Sequence, residues 1–205
     1  MKGFFFPYKD DNISKSKPYV TYALIIITVL VFIISLADFE NIINVYGFKP
    51  SEFVFITLLT SMFLHGGIGH IFGNMWYLFM FGDNIEDRLG KLKYTAFYIF
   101  SGLAATLAHY LTNIGSEIPT IGASGAISGV LGAYIVFFPH VRVHVASYYY
   151  GGTVPAYAML GLWFLMQFLG VFAGEGGIAF FAHIGGFIFG AVVAWIYIQL
   201  TKEKK

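Results

Sequence analysis

Three short motifs in this chain contain the residue types that could act together in catalysis. Ser124 lies in a Gly-Ala-Ser-Gly motif, and His183 lies in an Ala-His-Ile-Gly-Gly motif. The third motif is His-x4-His-x3-Asn, formed by His65, His70 and Asn74. A serine hydroxyl can act as a nucleophile and an imidazole as its general base, while other polar groups donate hydrogen bonds to an oxyanion. The combination indicates hydrolysis of an acyl bond such as a peptide bond.

The glycines around Ser124 favour a role as nucleophile. Gly122 and Gly125 permit close backbone approach and unusual dihedral angles. We predict that Ser124 begins a helix, whose free N–H groups and positive dipole end suit an oxyanion. The alternative is a serine that only caps the helix or fills a tight helix contact. Ser128 lies one turn further and lacks a glycine two residues before it, so we predict a packing role for it.

His183 is the candidate base, because a neutral imidazole can take the hydroxyl proton and return it to the leaving amine. The alternative is a histidine that bonds a loop carbonyl. Small residues recur every fourth position on both helices concerned, and such stripes let helices approach closely. They are Gly125, Gly129 and Ala133 on one helix and Ala182, Gly186, Gly190 and Ala194 on the other. No carboxylate lies within the core of a predicted span, because Asp and Glu occur only in loops and at span ends. We therefore predict a Ser-His dyad; the sequence does not identify the group that orients the imidazole.

His70 and Asn74 are spaced i, i+4 and therefore share one helix face. Both side chains can donate hydrogen bonds, so together with the backbone N–H of Ser124 they could stabilise an oxyanion. The alternative is polar packing between helices. His65 precedes two glycines, and we predict that it lies outside the helix in a structural role.

The composition is that of a membrane protein. The 205 residues are 58% hydrophobic and 11% charged, with a mean hydropathy of +0.72, whereas soluble domains carry about 25% charged residues. A net charge of +1 gives no electrostatic surface for nucleic acid. The chain has no cysteine, and His140 and His144 lack a third ligand, so we predict neither a metal nor a cofactor.

A spanning helix needs about 20 apolar residues, and the sequence predicts an all-α polytopic bundle of six transmembrane helices. We place these helices at 19–37, 68–85, 93–112, 124–138, 155–172 and 181–199. They form one membrane-embedded domain, 19–199, between short cytoplasmic tails at 1–18 and 200–205. Residues 53–64 either lie in the membrane interface or fold back as part of a long first loop.

Lysine and arginine predict the orientation. With the N-terminus inside, eleven of the 12 basic residues lie on the inner side and only Lys49 lies outside. Both termini are then cytoplasmic, and we expect the plasma membrane.

The second, fourth and sixth helices all begin at the outer face, which brings the three motifs to one depth. The fourth helix rises only about 22 Å against a core of about 30 Å, so Ser124 lies below the outer surface and water must reach it through a cavity.

In this order the motifs resemble the rhomboid family of intramembrane serine proteases. The resemblance covers 57–190. It includes Thr-Ser-Met-Phe-Leu-His-Gly-Gly at 60–67, Gly-Asp-Asn-Ile-Glu-Asp-Arg-Leu-Gly at 82–90 and Gly-Ala-Ser-Gly-Ala-Ile-Ser-Gly at 122–129, besides the two histidine motifs.

The resemblance implies a six-helix core and a Ser124–His183 dyad. It also implies oxyanion donors at His70, Asn74 and the Ser124 backbone. The substrates would be transmembrane segments, cut near the outer face. The fifth helix and the loop at 173–181 would act as lateral gate and lid.

The sequence departs from some relatives in two places. The first outer loop lacks their Trp-Arg pair, and Ser128 stands where they place a tyrosine beneath the histidine. Two other functions compete: a non-catalytic relative that binds transmembrane clients, and a small transporter. Pseudoproteases of this type usually lack the serine or the histidine, and a transporter would show repeats or charges at mid-membrane. The sequence leaves the substrate and the oligomeric state open.

Overall fold

The computed structural model describes residues 6–146, 151–173 and 178–201. Its helices are α1 Tyr19–Ser35, α2 Phe39–Tyr46, α3 Thr57–Thr60, α4 Ile68–Leu89, α5 Lys91–Thr112, α6 Ser124–Phe137, α7 Ala156–Ala173 and α8 Phe180–Thr201, with a 3₁₀ turn at Ser61–Phe63. The six long helices occupy the six predicted positions, and no end differs by more than four residues.

Among the described residues, α7 and α8 are the helices long and apolar enough to cross a membrane by length and composition. The apolar helices α1 and α6 are shorter, at 17 and 14 residues. Helices α4 and α5 have 22 residues each and carry their charged side chains towards the turn that joins them. Large apolar side chains project outwards from α1 and α7, among them Ile26, Leu30, Leu162 and Phe172. An apolar outer surface of this kind suits contact with lipid.

Helix α6 lies at the centre of the bundle, where it contacts α4, α5, α7 and α8. Ten consecutive α6 residues, from Gly125 to Tyr134, are buried. Glycines set the contact between α6 and α8: a Cβ at Gly186 would overlap the carbonyl oxygen of Gly125, and one at Gly190 would overlap that of Gly129. The two backbones therefore touch along the predicted stripes of small residues.

The long first loop folds back into the bundle, which is the second of the two arrangements predicted for 53–64. Ser61 and Met62 are buried, and the Met62 side chain occupies the space where Gly102 of α5 has no Cβ. The backbone N–H of Gly122 donates to the carbonyl oxygen of Ser61 over 2.9 Å. The loop thereby supports the segment that leads into α6.

The mostly helical structure fits the predicted all-α class, and a small antiparallel sheet accompanies the helices. Its strands, in the order β1-β2-β3, are β1 Phe6–Asp10, β2 Arg142–Ala146 and β3 Gly151–Pro155. Strand β1 lies within the segment predicted as the N-terminal tail, 1–18. This strand forms because it pairs with β2 and because Trp76 of α4 donates its indole N–H to the carbonyl oxygen of Pro7 over 2.7 Å.

Two carboxylates fix the N-terminal segment to the end of α4 and to α6. Glu86, which is fully buried, accepts the backbone N–H groups of Val20 and Thr21 at 3.0 and 2.8 Å and so caps the start of α1. Asp10 accepts the Tyr134 hydroxyl at 2.7 Å and the Asn84 amide at 2.9 Å.

Candidate active site

Ser124 and His183 are in hydrogen-bond contact. Ser124 is the first residue of α6, and His183 lies in the first turn of α8. The Oγ of Ser124 is 2.8 Å from Nε2 of His183. The side chains meet because Gly125, next to Ser124, and Gly186, one turn after His183, let the two backbones approach closely. A hydroxyl at this distance can pass its proton to the imidazole, which is the geometry that a nucleophile and its base need.

Gly122 shapes the turn before the serine. Its φ of 123° lies in the left-handed region, which glycine adopts without steric cost. A Cβ at this position would lie only 2.8 Å from Nε2 of His70. Dihedral angle and space therefore both require glycine at 122, and His70 lies directly against the turn that presents Ser124.

His65 lies beneath the same turn and outside any helix, as predicted. Its ring is fully buried, and Nε2 is 3.5 Å from the backbone N–H of Ala123. The other ring nitrogen is 3.4 Å from the carbonyl oxygen of Phe63. His65 thus links the first loop to the residue before Ser124, which is consistent with a structural role.

His70 and Asn74 stand in the first two turns of α4. The backbone N–H of Gly66 donates to His70 Nδ1 over 3.3 Å, and this bond leaves Nε2 facing Gly122. Asn74 is buried, and its amide donates to the carbonyl oxygen of His70 over 2.9 Å. A side-chain amide has two N–H groups, so this bond engages only one of them. The structure places His70 against the turn that precedes Ser124 and places Asn74 one turn further along α4.

Gln167 of α7 is the site residue that sequence reasoning missed. Its Oε1 is 2.8 Å from Nδ1 of His183, the ring nitrogen that faces away from the serine. Its amide nitrogen donates to the carbonyl oxygen of Trp163 over 2.9 Å. Gln167 is the only amide side chain in α7, which contains no charged residue. A lone polar residue in an apolar helix is the available signal, although a carboxylate is the group expected to orient such a histidine.

The other polar residues considered as candidates make different contacts. Ser128 donates its hydroxyl to the carbonyl oxygen of Ser124 within α6, over 2.6 Å, in agreement with a packing role. His144 lies 2.7 Å from a carboxylate oxygen of Asp11. Within the described ranges, no group of three or more His, Cys, Asp and Glu side chains could hold a metal ion.

A small cavity adjoins Ser124 between the first loop, α5, α6 and α8. Its volume is about 20 Å³, and Ser61, Thr106, Gly122 and Ser124 contribute to its lining. A polar cavity of this size has room for about one water molecule. The arrangement therefore combines a serine, a histidine held from both sides, and space for water next to the serine.

Comparison with known proteins gives the family. Residues 52–200 match the model of the Rhomboid domain family. The chain is 29% identical over 194 residues to Rhomboid protein 1, mitochondrial, of Saccharomyces cerevisiae, an alignment that covers 91% of this chain and 55% of the yeast protein. It is 27% identical over 195 residues to the rhomboid relative YdcA of Bacillus subtilis, with 92% of each chain covered. It is 29% identical over 154 residues to the mitochondrial presenilin-associated rhomboid-like protein of Bos taurus, covering 74% of this chain and 41% of the bovine one.

The chain thus spans about half the length of the yeast and bovine relatives and nearly all of the bacterial one. The family model covers well over half of the chain, and the apolar outer faces of α1 and α7 agree with a protein embedded in lipid. The protein is therefore an integral membrane protein of the rhomboid family.

Proposed function

We propose that this protein is an intramembrane serine endopeptidase that hydrolyses peptide bonds in or near the transmembrane segments of membrane proteins. The observation that carries the proposal is the 2.8 Å contact between Ser124 Oγ and His183 Nε2. Membership of the rhomboid family supports it, because the family acts on membrane-protein substrates within a bilayer.

In the first step His183 Nε2 accepts the hydroxyl proton while Ser124 Oγ attacks the scissile carbonyl carbon. The carbonyl oxygen becomes a tetrahedral oxyanion. The N–H of Ser124 is available to it, because the first N–H groups of a helix have no intrahelical acceptor. His70 Nε2 and the second amide N–H of Asn74 are the proposed side-chain donors. Such donors matter because they bind charge that develops only in the transition state.

In the second step the protonated His183 gives its proton to the leaving amine, and the C–N bond breaks to leave an acyl ester on Ser124. A water molecule then gives a proton to His183 and attacks the ester carbon. The imidazolium returns the proton to Ser124 Oγ, which releases the carboxylic acid product and restores the free enzyme. The ring must present Nε2 to the serine throughout the cycle.

We further propose that the six long helices all cross the bilayer, with the chain divided as 1–18, 19–199 and 200–205. Helices at all six predicted positions and the concentration of basic residues on one side support this topology. Both termini then lie inside and the site opens towards the outer face. The names of the yeast and bovine relatives place those proteins in mitochondria. Those names do not support the plasma membrane that the sequence led us to expect for this chain.

We propose α7 as the lateral gate through which a transmembrane substrate enters. Among its described residues only Ala156, Leu160, Gln167 and Gly170 are buried, so this helix is less enclosed than α6. The lid proposed at 173–181 includes 174–177, which lie outside the described residues.

The test is cleavage in a reconstituted bilayer. Purified protein is incubated in lipid vesicles with a panel of single-span substrates that carry small residues near the outer end of the span. We expect the wild type to cut within or beside the span and Ser124→Ala to leave the same substrates intact. Ser128→Ala is the matched control, because it removes the serine one turn further along α6 and should keep activity. Substrate that is captured but never cut by the wild type would favour the non-catalytic alternative.

A further inference from the structure

Gln167 points into the bundle from a helix that mostly faces lipid. Its side chain is 7% exposed, whereas its neighbours Leu165 and Met166 are 53% and 51% exposed. Polar side chains within membrane helices are costly and almost always face the bundle interior. The two groups that Gln167 contacts there are the carbonyl oxygen of Trp163 and Nδ1 of His183.

The directions of these two hydrogen bonds are fixed by chemistry. The carbonyl oxygen of Trp163 can only accept, so the Gln167 nitrogen must be the donor to it. The atom left facing the imidazole is therefore Oε1, which also can only accept. Nδ1 of His183 must then carry the proton and donate it. A neutral imidazole has one N–H, so Nε2 is unprotonated and accepts the hydroxyl of Ser124.

We propose that Gln167 is a positioning residue that selects the tautomer of His183 able to act as a base, and that it makes this selection depend on where α7 sits. The inference rests on the proposed Ser-His dyad. In a triad, a carboxylate performs this orienting task; here a neutral amide from a neighbouring helix performs it.

The link to α7 follows from how that helix meets α8. One turn beyond Gln167, the ring of Phe180 occupies the space where Gly170 has no Cβ. One turn before it, Trp163 lies with its ring centroid 6.0 Å from that of His183. Three successive turns of α7 therefore rest on the first turn of α8, and any displacement of α7 away from α8 lengthens the bond to Nδ1. His183 has the tautomer needed for catalysis when α7 is packed against α8. It loses the hydrogen bond that selects this tautomer when α7 moves away from α8.

Two substitutions separate the acceptor from the bulk of the side chain. Gln167→Leu keeps most of the volume and removes the acceptor. Both tautomers of His183 then become populated, and the imidazolium that forms in the first step loses its hydrogen-bond acceptor. We expect kcat to fall roughly 10- to 100-fold with little change in KM, which is less than the ~10⁴-fold loss seen where a triad is forced into the wrong tautomer. Gln167→Glu should retain more activity than the leucine variant. Its carboxyl oxygen can accept from Nδ1 in either protonation state, and when protonated it can also donate to Trp163.

A control outside α7 identifies a merely structural effect. Leu24 is buried in α1, which packs against α4 and α5. Leu24→Ala should lower the melting temperature and leave kcat of the folded protein unchanged. If Gln167 acted only through packing, its leucine variant would show the same pattern.

The direct readout is the ¹⁵N spectrum of histidine-labelled protein in lipid, with the His183 signals assigned by their loss in His183→Ala. The wild type should show a protonated Nδ1 and an unprotonated Nε2, and Gln167→Leu should show a mixture. A wild type with Nε2 protonated would overturn the inference even if the leucine variant failed to fold. So would a leucine variant that kept the wild-type tautomer and the wild-type kcat. A wild type with the expected tautomer but no cleavage of any substrate would instead refute the proposed function and leave the positioning role intact.

Discussion

The proposed dyad contains no carboxylate, and the membrane offers a physical reason. An ionised Asp or Glu at the centre of a membrane helix costs about 2.5–3.5 kcal/mol on insertion scales, and a buried charge must also be fully paired. The amide of Gln167 supplies the acceptor that His183 needs without a charge, and its own N–H is satisfied by the carbonyl oxygen of Trp163. A neutral orienting group is therefore the less costly solution at this position.

Asn74 allows catalytic and structural roles to be separated at a single side chain. Asn74→Ala removes an N–H group that we propose as an oxyanion donor, and a donor of this kind in a soluble protease is worth about 10²–10³ in rate. We expect a smaller fall in kcat, of roughly 10-fold, because His70 and the N–H of Ser124 remain. KM and melting temperature should change little.

Asn113 is the matched control for that experiment. It donates to the carbonyl oxygen of His109, four residues before it, over 3.0 Å, which is the contact that Asn74 makes with His70. Asn113→Ala should leave kcat unchanged. A destabilised but fully active Asn74→Ala protein would remove Asn74 from the catalytic machinery.

At the residue scale, the sequence predicts those site residues whose types and neighbours are unusual in an apolar chain. Ser124 and His183 can be found because a serine between glycines and a histidine at a helix start are unusual in an apolar chain. Gln167 cannot be assigned in this way, because its role depends on which way α7 faces, and the apolar sequence around it has no strong periodicity to show this.

At the scale of elements, the contact between α6 and α8 decides whether the site exists. Helices in lipid gain little from burying apolar surface, so they associate through close packing and interhelical hydrogen bonds. Here the packing is closest at glycines, whose missing Cβ atoms let α8 rest on the carbonyl oxygens of α6. The stripe of small residues is visible in the sequence, and this contact could therefore be predicted.

Gly186→Ala and Gly190→Ala test that contact. Each new methyl group would overlap a backbone carbonyl oxygen, of Gly125 and Gly129 respectively. Overpacking of this kind typically costs about 1–3 kcal/mol. Thermal unfolding in one fixed lipid or detergent should show a lower melting temperature for both variants, with loss of cleavage for Gly186→Ala.

The control is Gly161→Ala in α7, where nothing lies within 4 Å of a new Cβ. Alanine is the better helix former by up to about 1 kcal/mol, so this variant should be as stable as the wild type or slightly more stable. Equal destabilisation of all three variants would show that the packing of α6 on α8 is not specific.

Strand β1 could not be predicted, because its stability comes from partners distant in sequence. Its five residues show no long alternation of apolar and polar positions, and its partner strand lies more than 130 residues later.

Asp10 at the end of β1 is partly buried. Burial raises the pKa of Asp10 from 3.8 to about 6. The hydrogen bond from Tyr134 opposes this rise, and the nearby carboxylate of Asp83 adds to it.

The raised pKa of Asp10 makes the stability of the folded state depend on pH in a defined direction. Because the folded state holds the proton more tightly than the unfolded state, the favourable contribution of Asp10 is complete below pH ~4 and is lost as the pH rises through about 6. Asp10→Asn keeps an oxygen acceptor for Tyr134 and Asn84 and removes the ionisation. We expect the variant to be more stable than the wild type at pH 7–8, by at most about 2 kcal/mol after solvent screening. Melting curves from pH 4 to 8 that ran parallel for the two proteins would contradict this account.

At the scale of the whole molecule, the site forms where three helix starts meet. α4, α6 and α8 each begin at the same end of the bundle, so His70, Ser124 and His183 come together although more than 110 residues separate the first from the last. In the proposed topology, alternating spans bring the three helix starts to the same side, and this placement is what led us to predict a single site. The order of the spans does not decide between the two arrangements predicted for 53–64, and it does not predict the sheet, whose strands pair across a long stretch of sequence.

Cysteine labelling tests the orientation, because the chain has no cysteine of its own. Glu117, between α5 and α6, and Lys93, near the start of α5, are both exposed. We expect Glu117→Cys to react with a membrane-impermeant maleimide in sealed right-side-out vesicles. Lys93→Cys should react only after permeabilisation. The opposite pattern would place the active site on the cytoplasmic side.

The most direct measurement of the central claim is a double-mutant comparison of cleavage rates. Ser124→Ala, His183→Ala and the double variant are assayed beside the wild type in the same bilayer with the same substrate. Each single variant should lose at least about 10³-fold in kcat. The effects of removing two members of one catalytic unit are not additive, so the double variant should be no slower than either single variant. Cleavage by a well-folded Ser124→Ala protein at a rate close to that of the wild type would contradict the account.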